Sequence, residues 1–470
     1  MAETNTIGLS ELEGTLRLDA EIYTPHYREI SETLSRIETA RLARLCSKIT
    51  QGPNPVFLEN GYACVNGRNI KDNWINIADE QPNYVSKEEF MKFHKAFKVR
   101  KNDLLITLKG LGSIGKCGFA FEELEAIFSR DIGVIRTLDS LDSCYVYVFM
   151  LTKYGIGQIE MGVTGGTGQR TLAISYLSKM RIPVVPSELK RKVVNLLVDY
   201  KRTLDESLDG YYQAQTLLLK QLKLSSYEPK YKPTYMADLS RVFEVRRFDA
   251  EYFQPAYDHL IGCVTRLDHV TVKEIQGFNR RGVQPEYTQE GDTRVVMSKH
   301  LGKVSLDYEN LDNTSSEEWE RRKEAQVRQF DILIYTTGAY VGRTNCYLEK
   351  NRVLASNHIN ILRIKELNPI YVAVFLNSIV GQMQVKRLVS GSAQVELYPS
   401  DISEFVIWRA PGKVQQRIAS LIQQSHEARK KALGLLEEAR ASVTKAIDSR
   451  VKAANRSVRD SARKRERRGR

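Results

Sequence analysis

A glycine-rich turn is the first feature of this sequence whose residue types suggest chemistry. Gly110–Gly115 reads GLGSIG, the spacing that cradles a pyrophosphate when a helix begins at the last glycine. The residues that follow, Lys116–Phe121 (KCGFAF), have the composition of a β-strand, and the similar stretch Thr336–Gly342 (TTGAYVG) lacks one glycine. The pattern therefore predicts a tight turn between two strands rather than a dinucleotide site, and a loop whose glycines let the backbone approach DNA is the remaining alternative.

Motifs of DNA-modifying enzymes are either missing or badly placed. A nuclease of the common type needs Glu-x-Lys on a strand, and Glu228-Pro229-Lys230 matches only formally, in a proline-rich segment. The Asn/Asp-Pro-Pro-aromatic tetrapeptide of adenine methyltransferases does not occur. The seven histidines are dispersed, and the six cysteines show no CxxC spacing that would indicate a metal cluster or a disulfide framework. The sequence predicts a chain without catalysis and without a cofactor of its own.

Polar residues in predicted loops are candidates for contacts with DNA. Arg and Lys suit guanine, Asn and Gln suit adenine, and backbone N–H groups of glycine-rich turns suit phosphates. Solvated loops and turn caps are the alternative at every one of these positions. The candidates are Asn66, Arg68, Asn69, Lys109, Ser113, Lys116, Gln169, Arg170, Ser298, Lys299, His300, Thr337, Tyr340, Arg343 and Gln394.

These candidates occupy matching places in two halves of the chain. Arg17–Tyr27 (RLDAEIYTPHY) matches Arg247–Tyr257 (RFDAEYFQPAY) at an offset of 230 residues, and Gly166–Leu172 (GTGQRTL) matches Gly391–Leu397 (GSAQVEL) at 225. Because the offset drifts slowly, as a few loop deletions would cause, the chain contains an internal repeat. Each copy has runs rich in β-formers that predict strands. These are Ala63–Val65, Asp103–Leu108, Ile132–Arg136, Arg294–Met297, Asp331–Tyr335 and Ile359–Ile364. Helices are predicted at Ser86–Phe93, Ser143–Lys153 and Pro369–Val380.

Each copy ends in a long amphipathic helix. Apolar residues recur mostly every three or four positions in Leu189–Leu222 and again in Val414–Val451. A helix of this length needs a partner for its apolar stripe, and the repeat supplies one. Two-fold pseudosymmetry would make the pair antiparallel. The predicted fold class is α+β: two similar mixed α/β domains, produced by internal duplication, separated by two long antiparallel helices that form a coiled coil.

The predicted boundaries follow from the repeat, the helical stripes and the prolines of Ser225–Leu239. They are 1–186 for the first domain, 187–224 for the central helix, 225–240 for a linker, 241–411 for the second domain, 412–452 for the C-terminal helix and 453–470 for a basic disordered tail.

Charge is concentrated at the C-terminal end. The net charge is +13, and ten lysines and arginines face two acidic residues between Arg450 and Arg470. Such a tail is either a solvated end or a source of sequence-independent phosphate contacts. No secretory leader or membrane span is visible, and the cysteine usage fits a reducing compartment, so a cytoplasmic protein is expected.

The duplicated unit resembles the specificity (S) subunit of type I restriction-modification enzymes. The resemblance rests on the two Arg-x-Asp-Ala-Glu segments, the GTGQRTL and GSAQVEL stretches, and the passages into each helix, Leu177–Pro186 (LSKMRIPVVP) and Ile402–Pro411 (ISEFVIWRAP). It covers the chain to about residue 450 and rests on the duplicated order, because each motif alone is loose. It implies two target-recognition domains, each of which reads one half of a bipartite, asymmetric double-stranded DNA site.

The same resemblance implies the partners. The helix pair would fix the spacing of the half-sites and dock two methyltransferase subunits, which bring S-adenosylmethionine, while a restriction/translocase subunit completes the complex. Gln415, Gln416 and Arg417, at the start of the second helix, match the family form and are the expected partner contacts. Two alternatives remain open: a non-enzymatic coiled-coil scaffold that binds proteins without reading DNA, and a stand-alone DNA enzyme with an unrecognised site.

Overall fold

The computed structural model describes residues 19–71, 73–77, 82–110, 112–166, 170–288, 290–389 and 395–468, with side chains described as far as Arg456, except that of Lys71. It divides into two compact units. The first contains Met1–Thr203 and Lys431–Arg470, and the second contains Leu204–Lys430. Each long helix contributes residues to both units. Each unit is a mixed α/β structure.

The described part of the first unit has two large sheets and two two-stranded sheets. Its strands are β1 Thr39–Arg41, β2 Cys46–Gln51, β3 Phe57–Leu58, β4 Tyr62–Val65, β5 Ile70–Lys71, β6 Trp74–Ile75, β7 Asn83–Val85, β8 Leu104–Thr107, β9 Cys117–Phe119, β10 Ala126–Phe128, β11 Ile132–Thr137, β12 Val163–Thr164, β13 Thr171–Leu172 and β14 Arg181–Pro183. The larger sheet has the order β2-β11-β8-β9-β6-β5, and the smaller has the order β10-β4-β7-β3. In the smaller sheet β4 and β10 are parallel.

Helices cover these sheets. They are α1 Pro25–Ser35, α2 Leu42–Leu45, α3 Lys87–Phe97, α4 Ser140–Met150, α5 Lys153–Gly162, α6 Ile174–Leu177 and the long α7 Ser187–Gln221. The strand β8 reads LLIT and is buried throughout, as a central strand covered on both faces should be. α4 is buried along most of its length because both of its flanks are apolar.

The described part of the second unit has two four-stranded sheets and one two-stranded sheet. Its strands are β15 His269–Thr271, β16 Gln276–Arg281, β17 Thr293–Val296, β18 Asp312–Thr314, β19 Gln326–Val327, β20 Ile332–Tyr335, β21 Thr344–Cys346, β22 Val353–Ala355, β23 Ile359–Ile364 and β24 Val406–Trp408. The sheet orders are β16-β23-β20-β21 and β18-β17-β22-β19, and β17 and β22 are parallel. The helices are α8 Leu239–Val245, α9 Pro255–Thr265, α10 Val272–Ile275, α11 Ser316–Arg321, α12 Pro369–Asn377, α13 Ile379–Leu388, α14 Pro399–Ser403 and the long α15 Gly412–Arg468.

All six strands predicted from the sequence are present, with ends displaced by at most one residue. The predicted helix over Pro369–Val380 is in fact two helices, α12 and α13, separated at Ser378, whose backbone is extended. α7 ends at Gln221, three residues before the predicted boundary, because Lys223 adopts a left-handed conformation with φ 58° and Leu224 N–H donates to the carbonyl of Leu219. The predicted linker includes the first residues of α8.

The C-terminal helix is longer than expected. α15 continues to Arg468, so most of the segment predicted to be disordered has a helical backbone. The physical reason lies in the composition of residues 453–468, because Ala, Arg, Lys and Glu favour helix and this segment contains no glycine or proline. The high charge of the tail predicts that it is solvated, and a solvated segment can still be helical.

The long helices make ordered contacts within each unit. In the first unit, Lys192 Nζ lies 3.1 Å from the Glu438 carboxylate and donates to Ser442 Oγ. In the second unit, Ser425 Oγ donates to the carbonyl of Ser207 at 2.6 Å, and a Cβ placed on Gly210 would lie 3.1 Å from the carbonyl oxygen of Leu421. Residues later in α7 therefore meet residues earlier in α15, and the small side chains allow close approach.

A buried ion pair joins the two central strands of the first unit. Arg136 on β11 donates from Nε and Nη2 to the two carboxylate oxygens of Asp103, at 2.7 and 2.6 Å. Asp103 is fully buried and also accepts from the backbone N–H of Arg100. A third hydrogen bond, from Arg136 Nη2 to the carbonyl of Lys98, adds to the hydrogen bonding of the guanidinium.

The second unit contains the same arrangement. Arg363 on β23 donates to both oxygens of Asp331, at 2.7 and 2.9 Å, and to the carbonyl of Gln326. Asp331 also accepts from the backbone N–H of Arg328. Burial raises the pKa of the Asp331 carboxyl above its ordinary value, and the facing Arg363 opposes that shift.

We predict that Asp103→Ala lowers the free energy of unfolding of the chain by about 3 to 5 kcal/mol, because it leaves the Arg136 guanidinium buried without its carboxylate. Denaturant unfolding followed by circular dichroism measures the change. Asp131→Ala is the matched control, since Asp131 forms an exposed pair with Arg130 and should cost less than about 1 kcal/mol. Equal effects of the two substitutions would show that the buried pair has no special structural role.

Candidate nucleic-acid interface

Loops from four parts of the first unit meet at one end of its central strands. We call them loop cluster 1, which consists of Asn66–Asn69, Lys109 with Ser113–Lys116, Ser129–Asp131, and Arg170 with Thr171. Backbone hydrogen bonds hold the cluster together: Ser129 N–H donates to the carbonyl of Val65 at 2.9 Å, and Leu108 N–H donates to Asp131 at 2.7 Å. Lys109 forms a β-bridge with Thr171. The short Ser129–Asp131 loop is thus hydrogen-bonded to the residue before Asn66–Asn69 and to the residue before Lys109.

The second unit has a corresponding set of loops, loop cluster 2, which consists of Ser298–His300, Thr337–Arg343, Ser356–His358 and Val395–Tyr398. Ser356 N–H donates to the carbonyl of Val296 at 2.9 Å, and Thr336 N–H donates to His358 at 3.0 Å. Thr337 forms a β-bridge with Glu396. These bonds link the ends of β17, β20 and β23, just as the bonds in loop cluster 1 link the ends of β4, β8 and β11.

The glycine-rich turn is a strand connection, as predicted. Gly115 N–H donates to the carbonyl of Thr107, and β9 follows and pairs antiparallel with β8. Gly342 N–H makes the same bond to Tyr335, also at 2.8 Å. Both glycines have positive φ, and a Cβ would lie 2.6 Å from Ile159 at Gly115 and 2.7 Å from Val385 at Gly342. No helix begins at Gly115, so the pyrophosphate arrangement is absent from this part of the described chain.

Four of the predicted contacts are buried and build the turns themselves. Asn69 Oδ1 accepts from the backbone N–H of Asn66, and Asn66 Oδ1 accepts from that of Arg68. His300 Nδ1 accepts from the backbone N–H of Met297, the same bond in the second unit. Burial and the neighbouring Lys299 lower the pKa of His300, which favours the neutral ring. Thr337 is buried as well. These hydrogen bonds favour a structural role for Asn66, Asn69 and His300, and the Thr337 hydroxyl donates to Glu396 Oε1 at 3.5 Å.

Other predicted contacts are accessible. Arg68, Lys116, Arg170, Lys299 and Tyr340 are exposed, while Lys109, Ser113, Ser298 and Arg343 are partly buried. The remaining two candidates, Gln169 and Gln394, lie outside the described residues.

Several of the accessible cations already have a partner. Arg68 donates to Asn83 Oδ1 at 2.9 Å, and Lys299 Nζ lies 2.7 Å from the Asp312 carboxylate. Arg343 stacks its guanidinium over the Tyr340 ring at 3.6 Å. This contact aligns a planar donor group with an aromatic face, an arrangement that suits contact with a base.

Sequence reasoning missed the central loop of each cluster. Ser129-Arg130-Asp131 and Ser356-Asn357-His358 separate two apolar strands, and Arg130 is exposed. Their signal was available, since polar tripeptides interrupt the otherwise apolar stretches Phe128–Arg136 and Ala355–Arg363 at matching positions.

Arg281, at the end of β16, was also missed. Its Nη2 donates to the carbonyl of Leu397, and its guanidinium lies 4.9 Å from the centre of the Tyr398 ring. No sequence signal identified it.

Buried polar atoms without a hydrogen-bond partner among the described residues gather beneath these loops. They include Asn66 Nδ2, Thr107 Oγ1 and Ser129 Oγ in the first unit and Thr336 Oγ1, Ser356 Oγ and Asn357 Oδ1 in the second. Buried polar groups are nearly always satisfied in folded proteins. The clusters therefore retain hydrogen-bonding capacity for water or for a polar ligand.

The chemistry available in both clusters is recognition. Within the described ranges, no group of His, Cys, Asp or Glu has the arrangement of a metal site. Likewise, among the helices that the structure describes, none has the length and apolar character to cross a bilayer. The clusters present cations, amides, hydroxyls and an aromatic ring, which are the groups that pair with base edges and phosphates.

The expected partner contacts at the start of α15 separate into two kinds. Gln415 accepts from the backbone N–H of Asn368 at 2.9 Å and donates to the carbonyl of Ala410 at 2.8 Å, so it links the beginnings of α12 and α15. Gln416 and Arg417 are exposed on the first turns of the helix. The structure thus leaves two of the three side chains accessible.

Comparison with known proteins gives one family match and several similar solved structures. The chain is similar to the S subunit of a type-I restriction-modification system from M. genitalium (13% identity, 89% of this chain and 95% of that chain, TM-score 0.35). It is also similar to the HsdS subunit from Thermoanaerobacter tengcongensis (14% identity, 87% and 96%, TM-score 0.26). No curated protein shows significant similarity to the chain. Residues 57–208, which include all of loop cluster 1, match the family model of the type I restriction modification DNA specificity domain.

Proposed function

We propose that the chain is the sequence-specific DNA-binding specificity subunit of a type I restriction-modification system. In this proposal each loop cluster reads one half of a bipartite, asymmetric site, and the chain recruits the methyltransferase and restriction subunits to that site. One observation carries the proposal: the two clusters share one backbone hydrogen-bond frame but present different accessible side chains. A shared frame with divergent side chains is what two readers of different sequences require.

The shared frame can be followed bond by bond. Leu172 N–H donates to the carbonyl of Leu108, and Leu397 N–H donates to that of Thr336, both at 2.9 Å. The bonds of Ser129 and Ser356 to the ends of β4 and β17 are also equal in length. These matches, with the buried pairs Asp103–Arg136 and Asp331–Arg363, support an origin of the two units by duplication.

The accessible groups differ between the clusters. Loop cluster 1 presents the cations Arg68, Lys116 and Arg130, which suit guanine edges or phosphates. Loop cluster 2 presents the stacked Tyr340 and Arg343 together with Asn357. Because the donors and acceptors are not the same, the two half-sites should have different sequences, and the complete site should be asymmetric.

The long helices are the proposed spacer between the two readers and the docking surface for the partners. Their contacts, Lys192 with Glu438 and Ser207 with Ser425, support an antiparallel coiled coil. Two methyltransferase subunits would dock there, with Gln416 and Arg417 as accessible contacts. These subunits, and not this chain, would hold S-adenosylmethionine, and a restriction/translocase subunit would complete the assembly.

A coiled-coil scaffold that binds proteins without reading DNA is the rival proposal. Filter binding of the chain with its methyltransferase subunit to specific and random duplexes separates the two, since only a specificity subunit prefers the specific duplex. A stand-alone DNA enzyme is a further rival, and methylation or cleavage by the purified chain alone would favour it.

We predict that replacing residues 60–170 by the equivalent segment of another specificity subunit changes only one half of the recognised site, because this segment holds every residue of loop cluster 1 except Thr171. The measurement is the adenine-methylation motif in cells that express the chimera with a methyltransferase subunit. The converse exchange of residues 290–398 is the control and should change only the other half. A change in both halves from one exchange is incompatible with two separate readers.

The second prediction concerns the spacer. Deleting Leu204–Gly210 together with Ile422–Ala428 removes two turns from each helix while keeping the apolar stripes in register. Seven residues correspond to about 10 Å of helix, and base pairs are about 3.4 Å apart, so the spacer should shorten by about three base pairs. The methylation motif again gives the measurement. A chain that lacks residues 464–470 is the control with an unchanged spacer, and an unchanged spacer in the double deletion would refute the role of the helices.

A further inference from the structure

An open groove in the first unit lies between the start of α5 and the C-terminal part of α15. It has a volume of about 520 Å³ and is lined by Thr152, Lys153, Arg440, Lys445, Asp448 and Lys452, among others. This groove belongs to neither loop cluster. Its lining contains four cations, the three lysines and Arg440, and two carboxylates, those of Glu437 and Asp448.

The two carboxylates of the groove are already engaged. Glu437 accepts from Arg440 Nη1 at 2.8 Å, and Asp448 accepts from the Tyr154 hydroxyl and lies 3.9 Å from Lys153 Nζ. Lys445 and Lys452 are exposed and make no salt bridge or hydrogen bond to any described residue. Neither lysine therefore has an ion-pair partner within the described part of the chain.

The exposed lysines begin a basic stripe on α15, which we define as Lys445, Lys452 and Arg456. The intervals of seven and four residues return to nearly the same side of a helix, and all three residues are exposed. The sequence continues the spacing with arginines at 459, 463 and 467, and the helical backbone extends to Arg468. The opposite side of α15 carries Val443 and Ile447, which are fully buried.

We propose that the groove and the basic stripe bind the phosphate backbone of duplex DNA without regard to sequence. The composition of this face favours DNA over a protein partner. None of the large apolar side chains that are exposed in the described structure lies on α15, whereas protein interfaces bury apolar cores and are depleted of lysine. A line of lysines and arginines without apolar neighbours matches the charge of a phosphate backbone.

This face adds affinity where the loop clusters add sequence discrimination. Phosphate contacts fix orientation on the duplex and carry no base information. The inference takes its ligand class from the proposed DNA-binding function, but it does not depend on which loops read bases, or on whether any do.

The test replaces the basic stripe in the full chain with the triple substitution Lys445→Ser, Lys452→Ser and Arg456→Ser. The probe is a labelled 30-base-pair duplex of random sequence, with binding followed by fluorescence anisotropy at a series of KCl concentrations. Each lost phosphate contact reduces the slope of log affinity against log salt by about 0.9, so the slope should decrease in magnitude by about three. A chain that ends at Arg456, and so lacks seven further cations, should show a separate reduction.

The control is the triple substitution Lys101→Ser, Lys220→Ser and Lys350→Ser, which removes the same charge from exposed positions elsewhere. Its slope should remain that of the unmodified chain, and circular dichroism should show the same helix content in all variants. An unchanged slope in the stripe variant overturns the proposal, even when the shortened chain shows a reduction. An unchanged slope with loss of methyltransferase binding would assign the stripe to a protein partner instead.

The same assay keeps this inference separate from the proposed function. The preference of the unmodified chain, with its methyltransferase subunit, for a duplex that carries the methylation motif measures base recognition. Absence of that preference contradicts the specificity-subunit proposal, while the salt slope still decides whether the stripe binds phosphates.

Discussion

In each unit, a buried carboxylate bonded to two nitrogens of a guanidinium fixes the strands from which the loops of the two clusters extend. Asp103 immediately precedes β8, and Arg136 is near the end of β11, so their pair fixes these antiparallel strands at one end. The loops of cluster 1 leave the same two strands at the opposite end, after Thr107 and before Ile132. A slip of one residue would turn the side chains of these strands to the opposite face of the sheet and move every loop side chain. Asp331 and Arg363 impose the same register on β20 and β23.

Each unit combines a fixed hydrogen-bonded base with loops whose exposed side chains differ between the units. The hydrogen bonds of Asn69 and His300 close equivalent turns with different side chains, so the turn is kept while the residue type changes. The exposed residues around them are free of that constraint and can differ between the units. In the proposed function, joining two modest readers in one chain would raise the effective concentration of the second once the first has bound, which would give specificity to the pair. A basic helix that binds phosphates would add affinity without altering this specificity.

The sequence predicted those parts of the fold that are set by local periodicity. Continuous apolar runs such as LLIT and ILIY identified the central strands, and the three- and four-residue spacing identified both long helices. The end of α15 was placed too early because charge was weighed above helix propensity in residues 453–468. The strand orders could not be derived, since they depend on pairings between residues far apart in the chain, such as β4 with β10.

The candidate site residues stay predictions as DNA contacts, and the structure adds which of them are accessible. Loop positions after strands were found, but sequence could not tell Arg68, which is exposed, from Asn66 and Asn69, whose amides are used in the turn. Arg281 reaches loop cluster 2 only through the folded sheet. The most direct test of the account is the methylome of cells that express the chain with a methyltransferase subunit. The account predicts adenine methylation in one motif with two different specific halves and a fixed unspecific spacer, present only when the chain is expressed. A continuous motif, or methylation that does not depend on the chain, would contradict it.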